Sequence, residues 1–353
     1  MATKTSKPYK KPRKLCKQPP QKIRQFDASV RGERALFIIS ASTLWANGTE
    51  ITYTFVEKGT PADLNVVRKA FKTWKAVGIG LSFREVNSVE EALVRIGFDH
   101  EDDSWSWVGR EILDISKDEK TMNFGIDLSA DAEGMSTALH EIGHTLGLQH
   151  EHQSPFAGIE WNEQAVYDQM ALPPNKWDKK AVDENIIDKL PRNKLLGSDW
   201  DPKSIMQYAF EEGLIRRPPP FDKGINPPGL ISATDKKGIR AFYPKLSATK
   251  SLKMILNQSV AIEAKSGEQV DFTFKAPITR KYTIQTIGEL DTVMILSELV
   301  NGKREYLAGD DDSGLDKNAK IKQALVKGRN YIISIRVLYT PGSGQSSVMV
   351  TGS

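Results

Sequence analysis

Four of the five histidines in the chain fall within thirteen residues, at His140, His144, His150 and His152. His140 and His144 are four residues apart, so on a helix their imidazoles project from one face, one turn apart, and can bind one ion. Gly147 allows the chain to leave the helix in a left-handed conformation, which lets His150 return towards the other two. Three imidazoles leave one coordination position open for water, as in catalytic rather than structural zinc sites.

A carboxylate stands directly beside the first of these histidines, in His140-Glu-Ile-Gly-His144. Glu141 is placed to take a proton from zinc-bound water, whose pKa the metal lowers to about 7. The eleven-residue run from His140 to His150 is far more specific than the five-residue pattern alone. The sequence therefore predicts one catalytic Zn²⁺ held by His140, His144 and His150, with Glu141 as the general base. His152 is interpreted as a supporting or surface residue with no direct role.

These motifs resemble those of the metzincin zinc metallopeptidases, in particular the astacin and serralysin branches. Ser204-Ile-Met-Gln-Tyr208 resembles their methionine turn, so Met206 is expected beneath the three histidines. The same resemblance makes Tyr208 a candidate fifth zinc ligand and a stabiliser of the tetrahedral intermediate. Glu151 matches the astacin glutamate that contacts the mature N-terminus, although the astacin cysteines are absent. The resemblance covers about residues 45–244.

Hydrophobic periodicity indicates the elements that must position these residues. Residues 50–57 alternate as a strand, and further strands are expected at 35–40, 81–86, 92–98, 106–115 and 121–126. Thr60-Pro61, followed by apolar residues at helical spacing, predicts a helix over about 61–77. The zinc helix is expected over about 136–146 and a last helix over about 233–242, with irregular, loop-rich chain over 155–230.

From about residue 251 the pattern changes to short alternating runs separated by turn residues. Strands are expected at 258–264, 269–275, 281–286, 292–299, 329–337 and 346–351, which suggests a β-sandwich. The segment resembles the pre-peptidase C-terminal (PPC) domain of secreted bacterial proteases, for example in Gly309-Asp-Asp-Asp-Ser-Gly314. The predicted fold class is α+β: a metzincin (zincin-like) catalytic domain over 31–246, with a mixed sheet and a zinc-binding helix, followed by an all-β sandwich over 251–353.

Acidic residues in this C-terminal segment offer oxygen ligands. The candidate ligands for Ca²⁺ are Asp291, Asp310, Asp311 and Asp312. A solvated acidic turn explains the same residues equally well. The sequence therefore predicts either a calcium site or a solvated acidic turn at these residues.

Residues 1–30 are predicted to be a basic, disordered tail or a pro-segment. The first 25 residues contain nine Lys or Arg, four Pro and no Asp or Glu, and cannot bury enough apolar surface to fold alone. A solvated leader is preferred over a segment that binds nucleic acid or anionic lipid. No apolar core of a signal peptide follows Lys14, and no apolar run approaches the ~20 residues that span a bilayer.

Cys16 is the one cysteine, so no disulfide can form within the chain. In some metzincins a pro-segment cysteine occupies the open zinc position and keeps the enzyme latent. Lys14 and Lys17 favour the thiolate that zinc binds, which makes Cys16 a candidate latency switch. The surrounding Arg13-Lys-Leu-Cys-Lys17 does not reproduce the matrix metallopeptidase pattern. An inert thiol in a mobile tail is the alternative.

The expected function is zinc-dependent endopeptidase activity on proteins or peptides by a monomer that needs no nucleic acid. One alternative is a catalytically silent binding or adhesion protein, which would be expected to lack Glu141 or a metal ligand. The other is a metallohydrolase acting on a small amide, whose site chemistry would be the same. The resemblances imply secretion, although the sequence shows no signal peptide.

Overall fold

The computed structural model describes residues 14–20, 43–190, 200–246, 251–265, 267–315, 317–339 and 345–352. The predicted strand at 35–40 lies outside these residues. The hydrophobic cores of the rest belong to an N-terminal domain, which has two, and to a C-terminal domain, which has one of its own. Within the described part of the chain, no helix is long and apolar enough to cross a membrane.

The N-terminal domain is built on a five-stranded mixed sheet backed by helices. In chain order its elements are β1 (Glu50–Phe55), α1 (Pro61–Ala76), β2 (Ser82–Glu85), β3 (Val94–Gly97), β4 (Trp105–Ser106), β5 (Met122–Asn123), α2 (Gly134–Thr145), β6 (Glu160–Trp161), α3 (Glu163–Met170), α4 (Lys179–Val182), β7 (Ile215–Arg217) and α5 (Ala233–Phe242). The sheet order is β2-β1-β3-β5-β4, in which only β4 runs antiparallel to its neighbour.

Helix α1 begins where the sequence predicts, because Thr60 and Asp63 form a reciprocal capping box and Pro61 fits the first turn. Its apolar face lies against α2. Trp74, fully buried, donates from Nε1 to the carbonyl of Leu139, 3.0 Å away. This contact holds the predicted zinc helix in place from below.

The predicted strand over 106–115 is wrong beyond its first residue. After β4 the chain turns at Gly109, whose φ of +51° only glycine adopts readily, and continues as a 3₁₀ helix over Gly109–Asp114. A Cβ at Gly109 would also collide with the carbonyl of Thr43. Likewise, 155–230 is less irregular than predicted, since it contains α3, α4 and the β6–β7 pair.

The C-terminal domain is a sandwich of two sheets. Its strands are β8 (Leu252–Lys253), β9 (Ser259–Ala261), β10 (Gln269–Lys275), β11 (Arg280–Gly288), β12 (Asp291–Val300), β13 (Lys303–Asp310), β14 (Lys320–Leu325), β15 (Asn330–Tyr339) and β16 (Ser346–Gly352). One sheet has the order β13-β12-β15-β10-β8 and the other β14-β11-β16-β9. The sequence pattern does not predict strands β8, β13 and β14; β13 and β14 carry many charged residues, which weaken the alternation.

The two domains share a buried contact surface. Ala46 of the N-terminal domain packs with Val293, Ile295 and Leu338 of the sandwich. Gln269 exchanges two hydrogen bonds with the backbone of Asn47, at 2.8 and 3.0 Å.

Two arginines extend this surface. The nearly inaccessible guanidinium of Arg110 forms an ion pair with Asp311. Arg336 donates to the carbonyl of Phe242 (2.6 Å) and lies over the ring of Tyr243. Tyr243 in turn donates to Leu146 O, just after α2, so the sandwich contacts the N-terminal domain behind the zinc helix.

Candidate metal and peptidase site

The three predicted ligand histidines converge as expected. His140 and His144 lie on one face of α2, and Gly147, with a φ of +93°, turns the chain so that His150 faces them. Each Nδ1 has an oxygen acceptor. His140 donates to Ile205 O (2.8 Å), His144 to Leu148 O (2.8 Å) and His150 to Gln153 Oε1 (3.3 Å). Protons held on Nδ1 leave the three Nε2 lone pairs for a metal.

The chemistry of this centre fits zinc. The ligand atoms of Cys16, His140, His144 and His150 all lie within 4.8 Å of one another. His140 Nε2 is buried and has no hydrogen-bond partner among the described residues. Burial lowers the pKa of His140 to about 4 and those of His144 and His150 well below the ordinary value, so all three rings are neutral at pH 7. Neutral imidazoles and one thiol form a donor set that zinc prefers.

Glu141 lies fully buried beside this centre. Burial raises its pKa to about 8, and a hydrogen bond from Cys16 opposes the rise. The Cys16 Sγ lies 3.5 Å from Glu141 Oε2. A carboxyl group next to the ligands, with its basicity raised by burial, is equipped to accept and return a proton.

Met206 lies against α2, and Tyr208 lies beside His150. The sulfur of Met206 lies under α2 so closely that a Cβ on Gly143 would be 2.5 Å from it. The hydroxyl of Tyr208 is 2.8 Å from His150 Nε2 and donates to Cys16 O at 2.5 Å. Both side chains are almost fully buried.

His152 and Glu151 lie behind the ligands rather than at the centre. His152 is buried, contacts the ring of Tyr208 and places Nε2 2.9 Å from Asn185 O. It therefore lies in a supporting position and not at the surface. Glu151 accepts a hydrogen bond from Asp201 N (2.8 Å). Burial first, with the nearby carboxylates of Asp235 and Asp201 adding to it, raises the Glu151 pKa to about 7.

Cys16 approaches the metal centre from a segment whose composition predicts disorder. Residues 14–20 lie in the cleft, where Cys16 pairs in parallel with Ser104 and Lys17 N donates to Ser104 O (3.0 Å). The Cys16 Sγ is 3.7 Å from His144 Nε2. Burial, and then Glu141, raise the pKa of the thiol well above its ordinary value, so a thiolate here needs a cation beside it.

Several residues that hold this segment are not found from the sequence. Asn175 accepts from Leu15 N (2.8 Å), and Asn185 accepts from Gln18 N (2.9 Å). The Gln18 amide also lies 2.8 Å from His144 Nδ1. Asparagines in a region without clear periodicity give no signal of their own, and only their position in the fold reveals them.

The acidic residues of the sandwich separate into two groups. Carboxylate oxygens of Asp291, Asp311 and Asp312 lie within 4.8 Å of one another, and the guanidinium of Arg110 pairs with Asp311. Asp310 is apart from them, since its carboxylate accepts from Ser313 and from Lys320 N. Three of the four predicted calcium ligands therefore lie together, without Asp310, and a cationic side chain already contacts one of the three.

Comparison with known proteins gives a relationship over the N-terminal half. The family model described as Astacin, a peptidase family, matches residues 37–213, half of the chain. A structure of myroilysin is 34% identical, with a TM-score of 0.53, and the match covers 58% of this chain and 97% of myroilysin. A second myroilysin structure, also 34% identical, covers 57% and 86% with a TM-score of 0.44.

The sandwich has a weaker counterpart. The pre-peptidase C-terminal domain of collagenase from Bacillus anthracis is 15% identical, with a TM-score of 0.24, and covers 29% of this chain and 94% of that domain. The sandwich is defined by its own two sheets. No curated protein matches the chain.

The astacin match includes the helix, the turn and all three histidines, together with the methionine turn and its tyrosine. The similarity to myroilysin extends over nearly the whole of that protein. The chain therefore belongs to the astacin family of peptidases and is a metalloendopeptidase.

Proposed function

We propose that this protein is a zinc-dependent endopeptidase that its own N-terminal segment keeps latent, with Cys16 as a fourth ligand of the zinc. The observation that carries the proposal is the convergence of Cys16, His140, His144 and His150 on one centre, their ligand atoms within 4.8 Å of one another. Glu141 lies beside that centre.

The residues divide the chemistry of peptide hydrolysis among themselves. The zinc ion, when bound, supplies positive charge that acidifies a water molecule and polarises the scissile carbonyl. Glu141 takes the proton of the attacking water and returns it to the leaving nitrogen. Tyr208 donates a hydrogen bond to the carbonyl oxygen as it becomes negative. Met206 packs under α2 and keeps the histidines at a fixed height.

In the latent protein, residues 14–20 contact the same catalytic side chains. Cys16 excludes water from the position that faces Glu141, and Tyr208 donates to Cys16 O instead of to a substrate. Removal or displacement of the segment frees both residues together. Latency is therefore exerted on the base and the oxyanion donor as well as on the metal.

The occupied cleft also bears on the alternatives. Residues 14–18 lie along Ser104 as an extended chain, which favours a polypeptide substrate over a small amide. A catalytically silent binding protein is disfavoured because every ligand and the base are present. Secretion remains a proposal that rests on the habit of the family. Calcium at Asp291, Asp311 and Asp312 also remains a proposal, against which the ion pair with Arg110 counts.

The test compares two full-length, zinc-loaded proteins, Cys16→Ser and Cys16→Ser with Glu141→Gln. The first should cleave an internally quenched peptide, lose activity to a zinc chelator and regain it with zinc. The second should bind equal zinc by mass spectrometry, because all three histidines survive, while kcat falls by about 10²- to 10⁴-fold. Near-normal cleavage by the Glu141→Gln protein would refute the proposed role of Glu141.

A further inference from the structure

The ammonium group of Lys14 lies against a set of backbone carbonyls, which we call the Lys14 pocket. Its ammonium group lies 2.6 Å from Asp102 O, 3.2 Å from His100 O and 3.3 Å from Gly125 O. The carboxylate of Asp103 is 3.9 Å away. An ammonium group has three donor hydrogens and no acceptor, so three carbonyls and a carboxylate match it in number and charge.

The protein's own contacts shape this pocket, independently of Lys14. The Asn123 amide, fully buried, donates to Asp99 O and to Asp103 O. Trp177 donates to the carboxylate of Asp103 (3.1 Å), and Trp105 donates to that of Asp102 (2.8 Å). These bonds fix residues 99 and 103 on either side of the carbonyls of His100 and Asp102, and none of them involves the segment.

Close packing fixes the third carbonyl. Gly125 N donates to Ser104 Oγ (3.0 Å), and a Cβ on Gly125 would collide with Asp102 O. Any other residue at this position would push the two carbonyls apart. Burial raises the pKa of Asp103, whereas the hydrogen bond from Trp177 and the charge of Lys14 oppose the rise, so a cation beside Asp103 favours the carboxylate.

The pocket has a defined place relative to the metal centre. Side chains of an extended segment alternate between its two faces, so Lys14 and Cys16 face the same side of the cleft. Leu15, between them, belongs to the same hydrophobic cluster as Cys16, and its N–H donates to Asn175 Oδ1. An extended peptide bound along Ser104 would present to this pocket a side chain two residues from the one at the metal centre.

We infer that the Lys14 pocket, lined by Asp102, Asp103 and Gly125, is a substrate subsite that selects a basic side chain, lysine in particular, close to the bond that is cleaved. The segment then blocks the enzyme partly by presenting the side chain that the cleft is built to bind. This inference rests on the proposed endopeptidase function.

The first experiment measures binding without catalysis. The protein is the full-length, zinc-loaded Lys14→Ala/Cys16→Ser/Glu141→Gln variant, whose own segment has lost two contacts with the cleft and which binds zinc but does not turn over peptides. Labelled peptides of residues 10–20 are titrated into it, with lysine or norleucine at position 14. The lysine peptide should bind about tenfold more tightly, as expected for one charge-assisted hydrogen-bonded group. A norleucine at position 17, where the lysine is exposed, removes the same charge and should change Kd less than about twofold.

The second experiment sequences the sites that the Lys14→Ala/Cys16→Ser protein, which retains Glu141, cleaves in a peptide library. Lysine should be enriched about tenfold at one position within three residues of the bond, and Asp103→Asn should reduce that enrichment severalfold. Equal binding of the position-14 peptides, or cleavage without lysine enrichment, would overturn the inference. Failure to cleave any peptide, with the lysine preference in binding intact, would instead refute the endopeptidase function and leave a lysine-binding pocket with no substrate to select.

Discussion

The N-terminal domain is covered on two faces by other parts of the same chain, and the two covers differ in kind. In the cleft, residues 14–20 are held by backbone hydrogen bonds of Leu15, Lys17 and Gln18 and by the side-chain contacts of Lys14 and Cys16. Only Leu15 and Cys16 of the segment are buried. Behind the zinc helix, the sandwich contributes part of a hydrophobic cluster and the partner of a buried guanidinium.

This difference indicates which cover is made to leave. Each hydrogen bond of such a short segment contributes a net free energy of about 1 kcal/mol, so loss of one strong anchor makes dissociation of the segment much more frequent. The sandwich contact excludes water from Ala46 and Arg110, and its separation would expose apolar surface and a charge that lack other cover. The cleft cover is therefore suited to regulation, and the rear cover to permanent support.

The largest expected effect comes from removal of the strongest anchor in the cleft. Cys16→Ser should raise the initial peptidase rate of the unprocessed chain about 100-fold. This is the effect expected if the fraction of molecules with an open site rises from about 0.01% to about 1%. The measurement is cleavage of a quenched peptide from the first seconds, before any processing. Lys17→Ser, which changes an exposed neighbour, is the control and should remain latent. Equal initial rates for wild type and Cys16→Ser would mean that Cys16 does not guard the zinc.

Tyr208 tests whether the cleft cover hides catalytic groups as well as the metal. In the Cys16→Ser background, Tyr208→Phe should lower kcat about 10- to 100-fold with little change in KM, because its hydroxyl acts on the developing oxyanion. In the chain that retains Cys16, the same change removes the hydrogen bond to Cys16 O and should hasten release of the segment. A change in KM alone would make Tyr208 a substrate-binding residue instead.

The two faces also differ in how far the sequence predicts them. The metal site is local: the histidines, Glu141 and Gly147 lie within eleven residues, and helical geometry alone brings most of them together. Helix α1 is predicted equally well from the sequence, because Thr60, Pro61 and Asp63 mark its N-terminus. Met206 and Tyr208 are distant in sequence and need the resemblance to a known family.

Contacts that depend on long-range packing leave no such pattern. Gly109 interrupts the strand predicted over 106–115 because the carbonyl of Thr43 lies against it. No residue near Gly109 in the sequence indicates that contact. Asp311 reads as a calcium ligand beside Asp310 and Asp312, whereas the fold brings Arg110 from 201 positions away to pair with it. The composition of the basic tail predicts disorder because it cannot form a core, but residues 14–20 bind to a cleft that another domain supplies.

The rear cover can be weakened at its ion pair. Asp311→Asn should destabilise the protein by about 2 kcal/mol, because it removes the carboxylate that pairs with the Arg110 guanidinium, 1% exposed, although the neighbouring carboxylates of Asp291 and Asp312 stay in place. The expected cost is below that of a fully buried pair, since Asp311 is 19% exposed. Urea unfolding measures it. Glu212→Gln, which breaks the exposed pair with Lys223, should cost less than about 0.5 kcal/mol. A similar loss in both variants would show that the interface does not bury the Arg110 charge.

The smallest effect should come from the hydrogen bonds at the edge of the rear cover. Gln269→Met keeps the length of the side chain but removes both hydrogen bonds to the backbone of Asn47, which is buried. The free energy of unfolding should fall by about 1 kcal/mol, since the Asn47 N–H loses its acceptor. Gln258→Met, at an exposed turn of the same domain, is the matched control and should be neutral within about 0.5 kcal/mol.

If the rear cover is permanent support, Gln269→Met should also leave the latency of the full chain unchanged, measured as its initial peptidase rate. A rise in that rate comparable to the effect of Cys16→Ser would show that the two covers are coupled through the zinc helix, and that the sandwich takes part in regulation.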